Sequence, residues 1–317
     1  MSKKNVVVIG GGNGSAISII ALKENLELFD ISAVISMSDS GGSSGRLRTE
    51  FGTLPAGDVL RAVIGMSKYD YQMLKQIFYR NRFSETGKLD GHNLGNLFLT
   101  LSSQYNGKNF VQSIKAFEQS LEACGHVYPC TIEQTDLVAE LENGDIIQSE
   151  TKIDIPEYDR SIKIKKVFLK SDAEAYREAC KVIKEADAIV LGPGDLYTSI
   201  IAALLPKGIG EAIGESKAQL VYVAGNAYHV NGETGPTTVS GAVRVMNEYL
   251  PRTLNTVIYN NHKLDETQKE YYAERGWGLL EYDEKNISGV EMVVGDFERS
   301  TGGLCPEKLG IILKKII

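Results

Sequence analysis

Six short segments of the chain carry residues whose types and spacing could do chemistry. The first is Gly10-Gly11-Gly12-Asn13-Gly14-Ser15, directly after a valine-rich run. Glycines there let the backbone approach a phosphate, and a helix starting next aims unpaired N–H groups and a positive dipole at it. Gly11, Gly12, Asn13 and Gly14 are therefore candidate ligand contacts. The dinucleotide fingerprint is only partly met, since Ser15 replaces its third glycine and no acid closes the next strand at Ser36. The alternative is a tight turn between strand and helix.

The second segment, Ser38 to Arg48, reads as a loop past the second strand. Its three glycines, four hydroxyls, one carboxylate and two arginines suit an anion. Ser40, Gly41, Gly42, Ser43 and Ser44 are candidate contacts. Arg46 can fork onto phosphate oxygens, and Asp39 could hold a metal ion or accept from a hydroxyl. A plain solvated loop is the alternative. In Gly57-Asp58-Val59-Leu60-Arg61, Asp58 is either a ligand contact or an N-cap, and Arg61 reads as a surface charge.

In Gly91-His92-Asn93-Leu94-Gly95-Asn96, the residues His92, Asn93 and Asn96 gather at the start of an apolar helix and suit a base, sugar or phosphate. Helix capping competes with that reading. Gly192-Pro193-Gly194-Asp195-Leu196-Tyr197-Thr198-Ser199 repeats the strand, glycine turn and helix start. It reads as a second anion seat, with Gly192, Gly194, Leu196, Tyr197 and Thr198 as candidates and Asp195 as either N-cap or contact. Asn226 and Glu233 lie in a polar stretch after a further strand and complete the set, against a hairpin-like turn as the alternative. The four histidines show no HExxH spacing, and no GxSxG elbow occurs.

The elements that must position these residues follow from apolar patterning. Strands are read at Asn5–Ile9, Ile31–Ser36, 188–191, Gln219–Val223 and Thr256–Tyr259. A helix is read at Ser15–Glu24, with others over 57–66, 70–79, 92–105 and 109–123 and a helical run from Leu196 to Leu205. Strand, glycine turn, helix, strand is the opening of a parallel α/β sheet. Alternation at Asp136–Leu141, at Ile146–Ile153 and at Lys163–Leu169, with a turn at Glu142–Asp145, predicts a small antiparallel insertion at about 128–170. The expectation is one α/β domain over 1–317 with that β-rich subdomain inserted.

The composition bounds what this domain can be. Hydrophobic residues at 43% and charged residues at 24% are globular values, so disorder is excluded. A net charge of −7 argues against general nucleic-acid binding, which needs a basic field. Cys124, Cys130, Cys180 and Cys305 form neither a disulfide framework nor a CxxC pair. No stretch approaches the roughly 18 apolar residues that span a bilayer. A soluble, reduced, cytoplasmic protein is expected, forming a homo-oligomer.

In this order, IGGGNG, SDSGGSSGRLR, LPAGD, GHNLGN, LGPGDLYTSI and NGET resemble the gluconeogenesis factor family, a branch of the CofD-like superfamily. The resemblance runs from about residue 5 to 235 and more weakly to the C-terminus. It implies a Rossmann-like three-layer fold, UDP-sugars such as UDP-N-acetylglucosamine as ligands, and a role in cell shape and envelope synthesis on gluconeogenic carbon sources. The CofD branch transfers a phospholactyl group from a guanosine diphosphate adduct to a deazaflavin alcohol, using Mg²⁺. Some positions depart from the pattern. Ser40 stands where a second acid usually follows Asp39, Asn13 replaces a threonine, and Asn226 to Val230 and Gly241-Ala242 also differ.

Two functions follow. One is a non-catalytic nucleotide-sugar sensor with no certain cofactor. Gly11, Gly12 and Gly194 would face phosphates with Arg46 as counter-charge, Asn93, Asn96 and Asn226 would face base or sugar, and a regulatory protein partner would read the state. The other is a phosphotransferase in which Asp39 orients Mg²⁺ or the acceptor. An NAD-linked oxidoreductase rests on the first glycine turn alone.

Overall fold

Runs such as Val6–Ile9 and Ala188–Leu191 are apolar without alternation, so strands built from them must be covered on both faces. The computed structural model describes residues 2–105, 107 and 109–317. Its strands are β1 (Lys4–Gly10), β2 (Phe29–Ile35), β3 (His126–Pro129), β4 (Leu137–Leu141), β5 (Ile146–Gln148), β6 (Ile164–Leu169), β7 (Ala188–Leu191), β8 (Gln219–Gly225), β9 (Ala227–His229), β10 (Thr256–Asn260), β11 (Trp277–Leu279) and β12 (Glu291–Gly295). Seven of them form a parallel sheet in the order β12-β10-β8-β7-β1-β2-β3. The small antiparallel sheet, β5-β4-β6, lies between β3 and β7 in sequence, and β9 pairs with β11.

The chain leaves β1 toward β2 in one direction and leaves β7 toward β8 in the other. Right-handed crossovers then place the two sets of connecting helices on opposite faces, giving three layers. On the first face lie α1 (Gly12–Lys23), α2 (Gly42–Phe51), α3 (Gly57–Met66), α4 (Tyr71–Lys75), α5 (Leu94–Gln104) and α6 (Phe110–Ser120). A short α7 (Glu150–Asp154) follows β5 inside the insertion. On the second face, the segment Leu196–Ile201 opens the covering layer.

Helix α1 is buried nearly all round because it packs against the sheet, α3 and the C-terminal helix Pro306–Ile316. Small residues permit those approaches: Gly65 meets Ala16 and Gly310 meets the Ala21 carbonyl. No described helix is long and apolar enough to cross a membrane.

The structure corrects several local expectations. Gly42–Phe51 is a helix and not a loop. Its glycine and serine content opposes helix formation, but burial of Ser43, Ser44 and Leu47 overrides propensity. Gly52 closes it in the left-handed region, at φ 60°. Strand β5 stops at Gln148, and the chain turns into α7 where alternation predicts continued strand. The two sheet edges, β3 and β12, escape the pattern because edge strands are short and only partly covered. Segment 70–79 is helical but passes from α4 into a π-helical turn, Gln76–Arg80.

Gly310→Ala places a methyl group against the Ala21 carbonyl and is expected to destabilise the protein by about 1–3 kcal/mol. Chemical denaturation would measure it. An unchanged midpoint would mean that the C-terminal helix does not hold α1 at this contact.

Candidate functional site

Strand β1 pairs directly with β7, with Ile9 beside Leu191, so the two glycine turns that follow them emerge side by side. This is the point where strand order reverses, and in open α/β sheets the crevice lies outside the strand ends there. The turns touch. A Cβ on Gly14 would overlap the Pro193 carbonyl, and the Ser18 hydroxyl donates to the Gly192 carbonyl at 2.6 Å. Gly12 has φ +62°, a conformation that glycine adopts without strain.

A cavity of ≈ 750 Å³ opens over this junction. Gly11, Gly12, Asn13, Gly14, Asp39, Asp58, Gly194, Leu196, Thr198, Asn226 and Glu233 line it. Gly192 and Tyr197 lie behind that wall, with Tyr197 buried in the core. The cavity also gathers residues outside the sequence-based set, among them Arg61, Glu150, Asp154, Tyr272 and Trp277, together with Asp195.

Six carboxylates share the cavity wall: Asp39, Asp58, Glu150, Asp154, Asp195 and Glu233. Burial raises the Asp39 pKa, and the neighbouring Asp58 adds to the rise. Burial, then Asp39, pushes Glu150 up to about 8. Burial, then Asp195, pushes Asp154 up to about 6. Asp195 itself is raised by burial. Withdrawal from water disfavours each charge, and each charge disfavours the next. Asp58 is paired with Arg61, whose guanidinium also stacks on the Tyr79 ring at 4.9 Å. Arg61 is thus a buried, paired cation and not the surface charge that its sequence context suggests.

Glu233 occupies the seat expected for a second ligand anion. Its carboxylate accepts from the Tyr197 and Thr198 backbone N–H groups at 3.0 and 2.9 Å and from the Thr198 hydroxyl at 3.2 Å. The amide cradle that the second glycine turn offers is filled by the chain's own side chain. Burial and Asp195 push Glu233 up to about 8 despite those donors. Asp195 makes no side-chain cap at this helix start.

Asn226 is fixed by a buried network that sequence reading misses. Its Nδ2 donates to Glu298 at 3.3 Å, and its Oδ1 accepts from the Tyr272 hydroxyl at 3.1 Å. Glu298 also accepts from Asn260 at 2.7 Å. These partners lie 34 to 72 positions away in the chain, so no local signal marks them.

A second group of expected site residues is placed elsewhere. Arg46 donates to the Asp90 carbonyl at 2.6 Å and does not line the cavity. The Ser43 hydroxyl lies 2.8 Å from His92 Nδ1 and accepts from Asn96 Nδ2 at 3.1 Å. Asn93 caps α5 by accepting from the Asn96 N–H at 2.8 Å. Ser44 accepts from the Gly57 N–H at 3.2 Å. These contacts pin α2 to α5 and α3. Ser40 bonds Ser149 at 2.9 Å and Thr151 at 3.0 Å, which ties the insertion to the sheet. The Gly41 N–H donates to Asp39 at 2.9 Å, and Gly42 opens α2. So Asp39 is the one member of the Ser38–Arg48 segment on the cavity wall.

A family model described as "2-phospho-L-lactate transferase CofD" matches residues 6–298. A "Gluconeogenesis factor" of Halalkalibacterium halodurans is 37% identical over 294 residues, covering 92% of this chain and 88% of the relative. One from Bacillus subtilis is 32% identical over 295 residues, covering 92% and 90%. The crystal structure of protein BH3568 from Bacillus halodurans superposes with a TM-score of 0.88 at 33% identity, covering 99% of this chain and 100% of that one.

The raised Glu150 pKa sets a sign. Below about 4.5 both folded and unfolded states keep the proton; between 4.5 and 8 only the folded state keeps it, so stability falls as pH rises through that window. Glu150→Gln removes this loss. The variant is expected to match the wild type at pH 5 and to exceed it at pH 8, by an amount on the order of 4 kcal/mol at most. Melting curves across that range test it, and parallel curves would rule out a raised Glu150. Glu233→Ala orphans two backbone amides and a hydroxyl and is expected to cost about 1–3 kcal/mol or more, read as a lowered melting temperature.

Proposed function

Since this chain belongs to the CofD family, with gluconeogenesis factors as its relatives, we propose that it binds a UDP-activated sugar such as UDP-N-acetylglucosamine in this cavity and acts as a cytoplasmic regulatory protein. The observation that carries the reading is the meeting of two glycine turns at one cavity of ≈ 750 Å³ whose wall holds six carboxylates. That volume lies in the range of small-molecule and cofactor sites, about 300–1,000 Å³. Glycine backbone suits a diphosphate, and carboxyl groups, neutral or charged, hydrogen-bond sugar hydroxyls. Uridine as the base comes from the family resemblance and not from the cavity. Ligand binding would shift the population between conformations that a protein partner tells apart, with cell shape and envelope synthesis on gluconeogenic carbon as the process served.

A second reading, phosphoryl-group transfer, is favoured by the position of Asp39 on the wall beside Asp58 and the first glycine turn. Transfer in the CofD branch uses magnesium. Here Asp58 is committed to Arg61, and no group of three carboxylate, imidazole or thiol side chains gathers as a metal cage among the described residues. A Mg²⁺ held by one carboxylate and the ligand's own phosphates would fall to Asp39, and no step is drawn through it.

A ³¹P NMR time course with UDP-N-acetylglucosamine and Mg²⁺ separates the readings. Shifted or broadened diphosphate signals without new species are expected. New phosphorus species that vanish in Asp39→Ala would establish transfer. Unchanged spectra with ligand at about 1 mM would sink the nucleotide-sugar reading.

A further inference from the structure

Resting on the nucleotide-sugar reading, we propose that Lys75 is the counter-charge for the ligand's diphosphate, seated at the rim of the cavity against Asn13 and the start of α1. The sequence offers Arg46 for this task, but Arg46 is turned to the Asp90 carbonyl. Lys75 closes α4, and its ammonium donates to Asn13 Oδ1 at 3.1 Å. Asn13 lines the cavity and belongs to the first turn of α1. The ammonium lies 5.3 Å from the Tyr71 ring centroid, over a half-buried side chain.

The charges that act most on Lys75 are of its own sign. Its pKa is lowered to about 8 by burial first, then by Arg80, Arg61 and Arg299. Asp58 answers Arg61. Among the described residues, no carboxylate comes within 4 Å of Lys75, Arg80 or Arg299, although Glu307 senses Arg299 from further away. A half-buried ammonium bonded to a neutral amide, with no carboxylate within reach, is a site short of an anion.

The rest of the cavity leaves a diphosphate no better place. The amides at the start of Leu196–Ile201 are taken by Glu233, whereas Gly11 leaves the first turn of α1 without a side-chain cap. Asp154, Asp195 and Glu150 also line the wall, and Asp58, the carboxylate that abuts Gly11, is paired with Arg61. An acidic interior and a cationic rim orient the ligand, with its diphosphate at Lys75 and its hydroxyl-rich sugar toward the carboxyl groups.

Calorimetric titration of the full chain tests this, using UDP-N-acetylglucosamine and inorganic pyrophosphate as separate probes. Lys75→Met is expected to weaken both by about tenfold or more, with a shallower salt dependence, and Lys75→Arg to stay within about threefold of wild type. Melting curves of both variants check that they fold, and Lys75→Arg keeps the test decisive if Lys75→Met does not. Wild-type affinity for UDP-N-acetylglucosamine in a folded Lys75→Met protein would overturn the counter-charge while leaving the nucleotide-sugar reading intact. Lys75-dependent binding of pyrophosphate without binding of UDP-N-acetylglucosamine would uphold the seat and overturn that reading. Binding of neither probe would overturn both.

Discussion

The pairing of β1 with β7 is the constraint on which the site depends. Two strands that are 182 positions apart at Asn5 and Asp187 lie side by side, with the Asn5 N–H held by the Asp187 carboxylate at 2.7 Å. Equal register at Ile9 and Leu191 then delivers both glycine turns to the same sheet edge. Any side chain at Gly14 would force those turns apart. The cavity is therefore a product of strand order, and its position at the order reversal follows from the geometry of crossover connections.

Charge decides how that cavity is used. Burial next to like charges makes Asp39, Glu150, Asp154, Asp195 and Glu233 costly to ionise, so these five do not behave as independent anions. Glu233 shows the consequence. Its carboxylate takes the backbone amides that a ligand anion would otherwise use, and so binds the polar loop after β8 to the second turn. The first turn, by contrast, faces Lys75 and the paired Arg61. The two turns look equivalent as sequence, yet the first meets the Asp58–Arg61 pair and the second the Glu233 carboxylate.

Part of the expected site is structural. His92, Asn93 and Asn96 are buried, and they join Ser43 and Ser44 in holding α2 against α5. Their effect on the cavity is indirect. With α2 held in place, its N-terminal approach presents Asp39 to the wall, and the Gly41 N–H fixes that carboxylate. Arg46 and the two asparagines do not reach the cavity.

The local elements are written in short stretches of the chain: apolar runs without alternation for a covered parallel sheet, alternation around Glu142–Asp145 for the antiparallel one, and glycines directly after β1 and β7 for two close-approach turns. These are short-range properties, carried by side-chain period and backbone freedom over a few residues. The tertiary structure alone decided which polar residues face the cavity. Glu150 and Asp154 arrive from the insertion and Tyr272 from beyond β10, where Glu298 fixes Asn226 from behind the wall. Arg46 and Arg61, alike in sequence, part company because one helix turns its arginine outward and the other buries it beside Asp58. Burial and charge pairing are sums over contacts made far apart in the chain, and no local pattern encodes them.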